Sequence, residues 1–282
     1  MVTTAPAPRG RFAGLLAPSE RDPAPVTEAG VKRGLRRETL LVLGVSLGSS
    51  AVYAVLSIIE KLTRPVPLSQ QTTAMNQSAT PGRPWLDLAY QLAGIVLPLV
   101  AVALALYLLN HVRRPAADVR AGHFVGLDRR EPARDLARGA GLAALIGIPG
   151  LGFYFFAKAI GINTQVSAAN LEAVWWSAPV LVLAAVQNAL LEEVVMVGYL
   201  FTRWRQTGWS WPLVIGVSAL IRGSYHLYQG FGGFAGNIVM GLVLGLVFVR
   251  TRRVMPLVVC HSILDVVAFV GYTVLRARGV SI

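Results

Sequence analysis

The apolar residues of this chain come in long blocks, and block length decides what it can fold into. Runs of about 18–25 apolar residues match the length a helix needs to cross a hydrocarbon core. They fall at residues 39–59, 86–109, 139–160, 176–200, 211–228, 234–249 and 255–275. A segment in lipid must satisfy its own backbone hydrogen bonds, so each run is read as a helix. The expected fold is therefore all-α: a polytopic transmembrane helical bundle of about seven spans. Hydrophobic residues make up 54% of the 282 and charged ones only 14%, a balance soluble domains seldom reach. The lone cysteine, Cys260, has no partner for an intrachain disulfide and rules out a cysteine-cluster metal site.

A net charge of +12 invites a nucleic-acid reading, but its distribution rejects one. Seven basic residues, Arg9 to Arg37, precede the first run, and seven more, Arg113 to Arg138, separate the second from the third. The alternate loops are poorer, and residues 161–175 hold no base. Alternation of this kind records membrane sidedness, with basic loops cytoplasmic and drawn to anionic headgroups. The expectation is an integral, multi-pass protein of the cell (plasma) membrane with a cytoplasmic N-terminus, partnered by membrane lipid and not by nucleic acid. Residues 1–38 read as a disordered basic cytoplasmic tail. Residues 39–138 read as a transmembrane pair with a basic cytoplasmic loop, and 139–282 as the core that carries the chemistry. Gly232, Gly236, Gly241 and Gly245, in and just before the sixth run, predict close helix packing.

Polar residues inside these runs are few and costly. A carboxylate at the membrane centre costs roughly 2.5–3.5 kcal/mol on insertion scales. Glu192 and Glu193 nevertheless stand side by side after the apolar stretch APVLVLAAVQNALL. Asn188 lies four residues before Glu192 and shares its helix face. His226 closes the fifth run, and His261 and Asp265 are four apart on the seventh, so the carboxylate can orient the imidazole. Peptide hydrolysis needs an activated water, a base for its proton and a group to hold the oxyanion. A buried glutamate with a like-charged neighbour suits the base, and two histidines suit either a divalent metal or the oxyanion. Two other uses of the same residues stay open: a non-catalytic scaffold or immunity protein of this fold, and a proton-coupled transporter relaying protons through carboxylates and imidazoles.

The stretch EEVVMVGYL resembles the first motif of the CPBP intramembrane proteases, related to the type II CAAX prenyl proteases and the bacteriocin-processing enzymes. That motif is two glutamates, three spacers, usually an arginine, then glycine, and here falls on Glu192, Glu193 and Gly198. The second motif, a histidine four after an aromatic, is matched at His226. The third, histidine, three spacers, then asparagine or aspartate, is matched at His261 and Asp265. The resemblance covers roughly residues 140–275. It implies an intramembrane endopeptidase acting on a membrane-associated or lipidated protein. It implies that Glu192 activates the water and Glu193 supports it. It implies that His226 and His261 bind metal or hold the oxyanion, with Asp265 as orienter or fourth ligand. The implied metal set is His226, His261 and Glu192 around one divalent ion, zinc first. A metal-free glutamate mechanism is the alternative, and the chain lacks the H-E-x-x-H signature. Two positions depart from the pattern: Val197 stands in the arginine position, and Arg222 in the aromatic one. This reads either as a swap that keeps one positive charge near the glutamates or as the mark of altered activity. Straight helices would also leave His226 roughly 10–13 Å too far out to meet Glu192.

Overall fold

The apolar runs do fold as helices. A computed structural model describes residues 22–112 and 119–279. Helices α1 (Ala29–Gly44) and α2 (Leu47–Thr63) form a pair bent by 54°. The first expected span is therefore broken. Ser46 leaves helical geometry at the break, and its Oγ donates to the Val42 carbonyl at 2.6 Å. Helices α3 (Pro84–Val96) and α4 (Leu99–His111) join through Pro98 as one 28-residue span. Helix α5 covers Pro132–Ala159, α6 Ser177–Gln206, α7 Trp211–Ser224, α8 Phe231–Thr251 and α9 Met255–Ala277.

Among the described residues, five helices are long and apolar enough to cross a membrane, or six with the bent pair as one span. The chain is thus an all-α polytopic bundle and an integral membrane protein. The remaining expected span, α7, has 14 residues. At 1.5 Å per residue it reaches about 21 Å, short of a hydrocarbon core about 30 Å thick. Two three-residue strands, β1 (Thr72–Ala74) and β2 (Gln165–Ser167), pair in parallel between the α2–α3 and α5–α6 connections.

The tail expected to be disordered through residue 38 is helical from Ala29, while its residues 1–21 lie outside the described residues. Glu38 supplies the reason. Its Oε1 accepts from Arg203 Nε at 2.7 Å and from the Tyr199 hydroxyl at 2.8 Å, tying α1 to α6. Arg203, expected in a cytoplasmic loop, is fully buried on α6. Its guanidinium also donates to Gln206 Oε1 and to the carbonyls of Leu108 and Val112, at 2.8, 2.7 and 2.6 Å. A buried charge satisfied this completely holds α6 helical to Gln206, past the expected end at residue 200.

The glycines of the sixth run do allow close packing. A Cβ on Gly241 would lie 2.9 Å from the Ala219 Cα, and one on Gly223 of α7 2.9 Å from the Phe234 carbonyl oxygen. Helices α7 and α8 therefore meet nearly backbone to backbone, which fixes the height of the His226 turn.

Candidate active site

Glu192 ends the regular α-helical part of α6, and Glu193–Tyr199 form a π-helical stretch. Such wide turns are rare and concentrate at functional positions. Helix α7 runs antiparallel beside this stretch. Ser218 Oγ donates to the Met196 carbonyl at 3.2 Å, Arg222 reaches Glu193, and the Tyr225 hydroxyl donates to Glu192 Oε2 at 2.7 Å. Helix α9 starts level with Gly198, which packs on Val254. The Val254 and Met255 N–H groups donate to the carbonyls of Val125 and Gly126 at 2.8 and 3.2 Å, so the α8–α9 turn is sunk beneath the 121–127 segment. Glu192 stands six residues above Gly198 and His261 six above Met255. The offset expected for straight helices therefore closes: α6 runs further inward than its apolar run, and α9 begins deeper.

Glu193 is fully buried. Its Oε1 accepts from the Arg222 guanidinium and from His261 Nδ1–H, the latter at 2.8 Å. Arg222, only 2% exposed, also places Nη1 3.6 Å from Glu192 Oε2. His261 Nε2 lies 3.7 Å from Asp265 Oδ1. His226 Nδ1 is 2.9 Å from the Arg222 carbonyl. A carbonyl can only accept, so Nδ1 carries the proton and Nε2 is the acceptor of the neutral ring. Glu192, His226, His261 and Asp265 line one cavity of about 250 Å³, with Asn188 and Tyr225 beside them. Glu193 lies behind its wall. The N-terminal half contributes Leu47, Ser50 and Met75 to the lining.

Tyr225 is the residue whose role the sequence did not assign, while Arg222 stands at the glutamates as the charge-swap reading had it. Arg222 sits one helical turn before His226, a position that shares the histidine's face, and an arginine in so apolar a helix was the available signal. Val197 is buried among apolar neighbours. The positive charge at the glutamates therefore comes from α7 rather than from α6.

Ligand atoms of Glu192, Glu193 and His261 lie within 4.8 Å of one another. This compact group holds Glu193 in place of the expected His226. It does not suit a divalent ion. Glu193 Oε1 and His261 Nδ1 are bonded to each other, and the Arg222 guanidinium already pairs with Glu193 and stands beside Glu192. An added ion would face that fixed positive charge in a low-dielectric interior.

A helical membrane bundle with a half-open glutamate–histidine cavity is the class these features define. Residues 174–267 match the family described as type II CAAX prenyl endopeptidase Rce1-like, which assigns this segment, from the approach to α6 into α9, to the CPBP and CAAX protease family. Over that segment the likeness is, at family level, to a CAAX-type intramembrane endopeptidase. No curated protein and no solved structure matches the chain.

Proposed function

We propose that the chain hydrolyses a peptide bond of a membrane-associated or lipidated protein, using a water activated by Glu192 and no resident metal. The observation that carries this reading is the placement of the Glu192 carboxylate in one cavity with His226, His261 and Asp265. Glu192 Oε2 is engaged by Tyr225, and Oε1 is left for water. A water between Glu192 Oε1 and His226 Nε2 can donate one proton to each, turning its lone pair toward a scissile carbonyl. Glu192 takes the proton as the C–O bond forms. His261, with Nδ1–H committed to Glu193, offers Nε2–H to the oxyanion, and Asp265 steadies that imidazolium. Glu192 then returns its proton to the leaving amine as the C–N bond breaks. Arg222 and Tyr225 keep the acidic pair oriented without entering the cavity chemistry. Basic loops facing the cytoplasm and a plasma-membrane location complete the proposal.

The test is cleavage of a membrane-anchored peptide library by detergent-purified protein and by Glu192→Gln. Loss of a general base costs about 10²–10⁴-fold in rate. Cleavage that survives the substitution would overturn the assignment. A biological role that survives it without any cleavage would favour a scaffold.

A further inference from the structure

His226 does not sit on a helix. It follows the end of α7 and leads into the turn Leu227–Gln229, which Gly230 closes at φ +112°. Its own bonds are local: N–H to the Gly223 carbonyl at 2.9 Å and Nδ1–H to the Arg222 carbonyl. A turn held only from within would drift. What pins it from outside comes from segments far away in sequence.

Lys61, at the end of α2, is 8% exposed. Among the described residues no carboxylate forms an ion pair with it, and Glu60 pairs instead with Arg64. All three of its N–H donors find neutral oxygens: Ser57 Oγ at 3.4 Å, Thr73 Oγ1 at 2.9 Å and the Tyr228 carbonyl. Thr73 Oγ1 lies 2.7 Å from Thr164 Oγ1, and Thr164 Oγ1 donates to the Gln229 carbonyl at 2.9 Å. Thr73 Oγ1 accepts from Lys61 and also lies 3.0 Å from the Tyr228 carbonyl, so its one proton has that carbonyl and Thr164 Oγ1 as acceptors. The Thr164 N–H also donates to the Gln229 carbonyl at 2.9 Å. At the far side of the turn, Phe231 N–H donates to the Ile162 carbonyl and Gly233 N–H to Asn163 Oδ1, both at 2.8 Å. Burying an ammonium among neutral oxygens is costly, and one of the contacts it makes here is with the Tyr228 carbonyl, two residues after the histidine.

We propose that Lys61, Thr73 and Thr164 are positioning residues for His226: a polar clamp, built from α2, β1 and the segment before β2, that holds the Tyr228 and Gln229 carbonyls and so sets where the imidazole meets the cavity. All three lie outside residues 174–267, so the family-matched segment does not by itself fix its own second histidine. The inference takes from the proposed function only that His226 acts in the cavity.

The test uses the full chain in detergent with His111→Gln and His123→Gln, which removes the two exposed histidines. His226 is then the accessible imidazole, and its acylation by diethylpyrocarbonate is read by peptide mass mapping. In this background Thr73→Val and Lys61→Met are compared with Thr73→Ser and Lys61→Arg. Displacing a reacting group by about 1 Å costs on the order of 10²-fold in rate. Thr73→Val is therefore expected to lower kcat about 10–100-fold with KM nearly unchanged, and to raise His226 acylation several-fold. Thr73→Ser, which keeps the hydroxyl, should restore both. A lowered melting temperature with His226 acylation and kcat unchanged would overturn the clamp, as would acylation insensitive to both Lys61→Met and Thr73→Val. Faster acylation in the variants of a parent that cleaves nothing would keep the clamp and refute the hydrolase reading, so the two failures are separable.

Discussion

Replacing Arg222 by methionine removes the guanidinium that reaches both members of the acidic pair. The variant leaves Glu193 fully buried with only His261 for company, and Glu192 beside it. Breaking a buried ion pair from one side costs about 3–5 kcal/mol, because the other charge is stranded. A second route gives a similar figure. At the 3.6 Å separating Arg222 from Glu192, Coulomb's law with an effective dielectric near 20 yields about 4–5 kcal/mol. Set against a total stability of about 5–15 kcal/mol, either value removes a large share. The assay is reversible unfolding in mixed micelles followed by tryptophan fluorescence. Arg222→Met should lose about 3–5 kcal/mol, and Arg222→Lys, which keeps the charge but not the planar fork, should fall between it and the parent. Removing both partners in Arg222→Met/Glu193→Met should recover most of the loss, since an apolar pair of similar volume is often neutral where an ion pair stood. A single variant within about 0.5 kcal/mol of the parent, or a double no better than the single, would show that the guanidinium does not stabilise the pair.

The metal-free reading predicts that cleavage withstands o-phenanthroline and EDTA, and that purified active protein holds far less than one zinc per chain by elemental analysis. Activity lost to chelators and restored by zinc would refute it. Near the α8–α9 turn, Asp128 ties the 121–135 segment to that turn through Arg253 at 2.9 Å. Burial opposes its charge, but the Arg130 N–H, the Arg253 guanidinium and His123 together hold its carboxyl down at about 2, against an ordinary 3.8. A lowered folded-state value stabilises above the unfolded one. The Asp128 contribution should therefore be whole above about pH 4 and vanish as pH falls towards about 2. The stability difference between parent and Asp128→Asn should shrink over that window and stay constant above it, and a difference that grows on acidification would contradict the sign.

The fold was legible because lipid leaves so few solutions. Long apolar runs forced helices. The errors lie where a charge is not where hydropathy puts it. Arg203 looked like a loop residue because an arginine ends an apolar run, yet four acceptors from Glu38, Gln206, Leu108 and Val112 bury it within α6. That extension, invisible to hydropathy, shifts the depth of Glu192 and closes the gap to His226. The break at Ser46 was equally hidden, since a bend inside an apolar run leaves its average unchanged. At the site, Glu192, Glu193, His261 and Asp265 announced themselves by pairing and four-residue spacing. Tyr225 did not, because an aromatic beside a histidine at a helix end is ordinary membrane-interface composition.

The two halves of the chain divide the work differently from what motif position suggests. The matched segment holds every group proposed to touch substrate or water, but its heights are set elsewhere. Glu38 and the α4 carbonyls bury Arg203 and so anchor α6. The Val125 and Gly126 carbonyls seat α9. Lys61, Thr73 and Thr164 hold the turn after His226. Each of the three motif-bearing elements thus has a polar anchor from outside the matched segment. Polar anchors suit this task in lipid, because apolar packing gains little there over contact with acyl chains, whereas a buried hydrogen bond has one satisfied geometry and costly alternatives. Hydrolysis by a single water needs its acceptors and the oxyanion donor placed to within a fraction of an ångström. A bundle held together by apolar faces alone could slide by more than that. The buried arginine, lysine and carbonyl contacts are therefore the part of this sequence that would bring α6, α7 and α9 together as the proposed reaction centre.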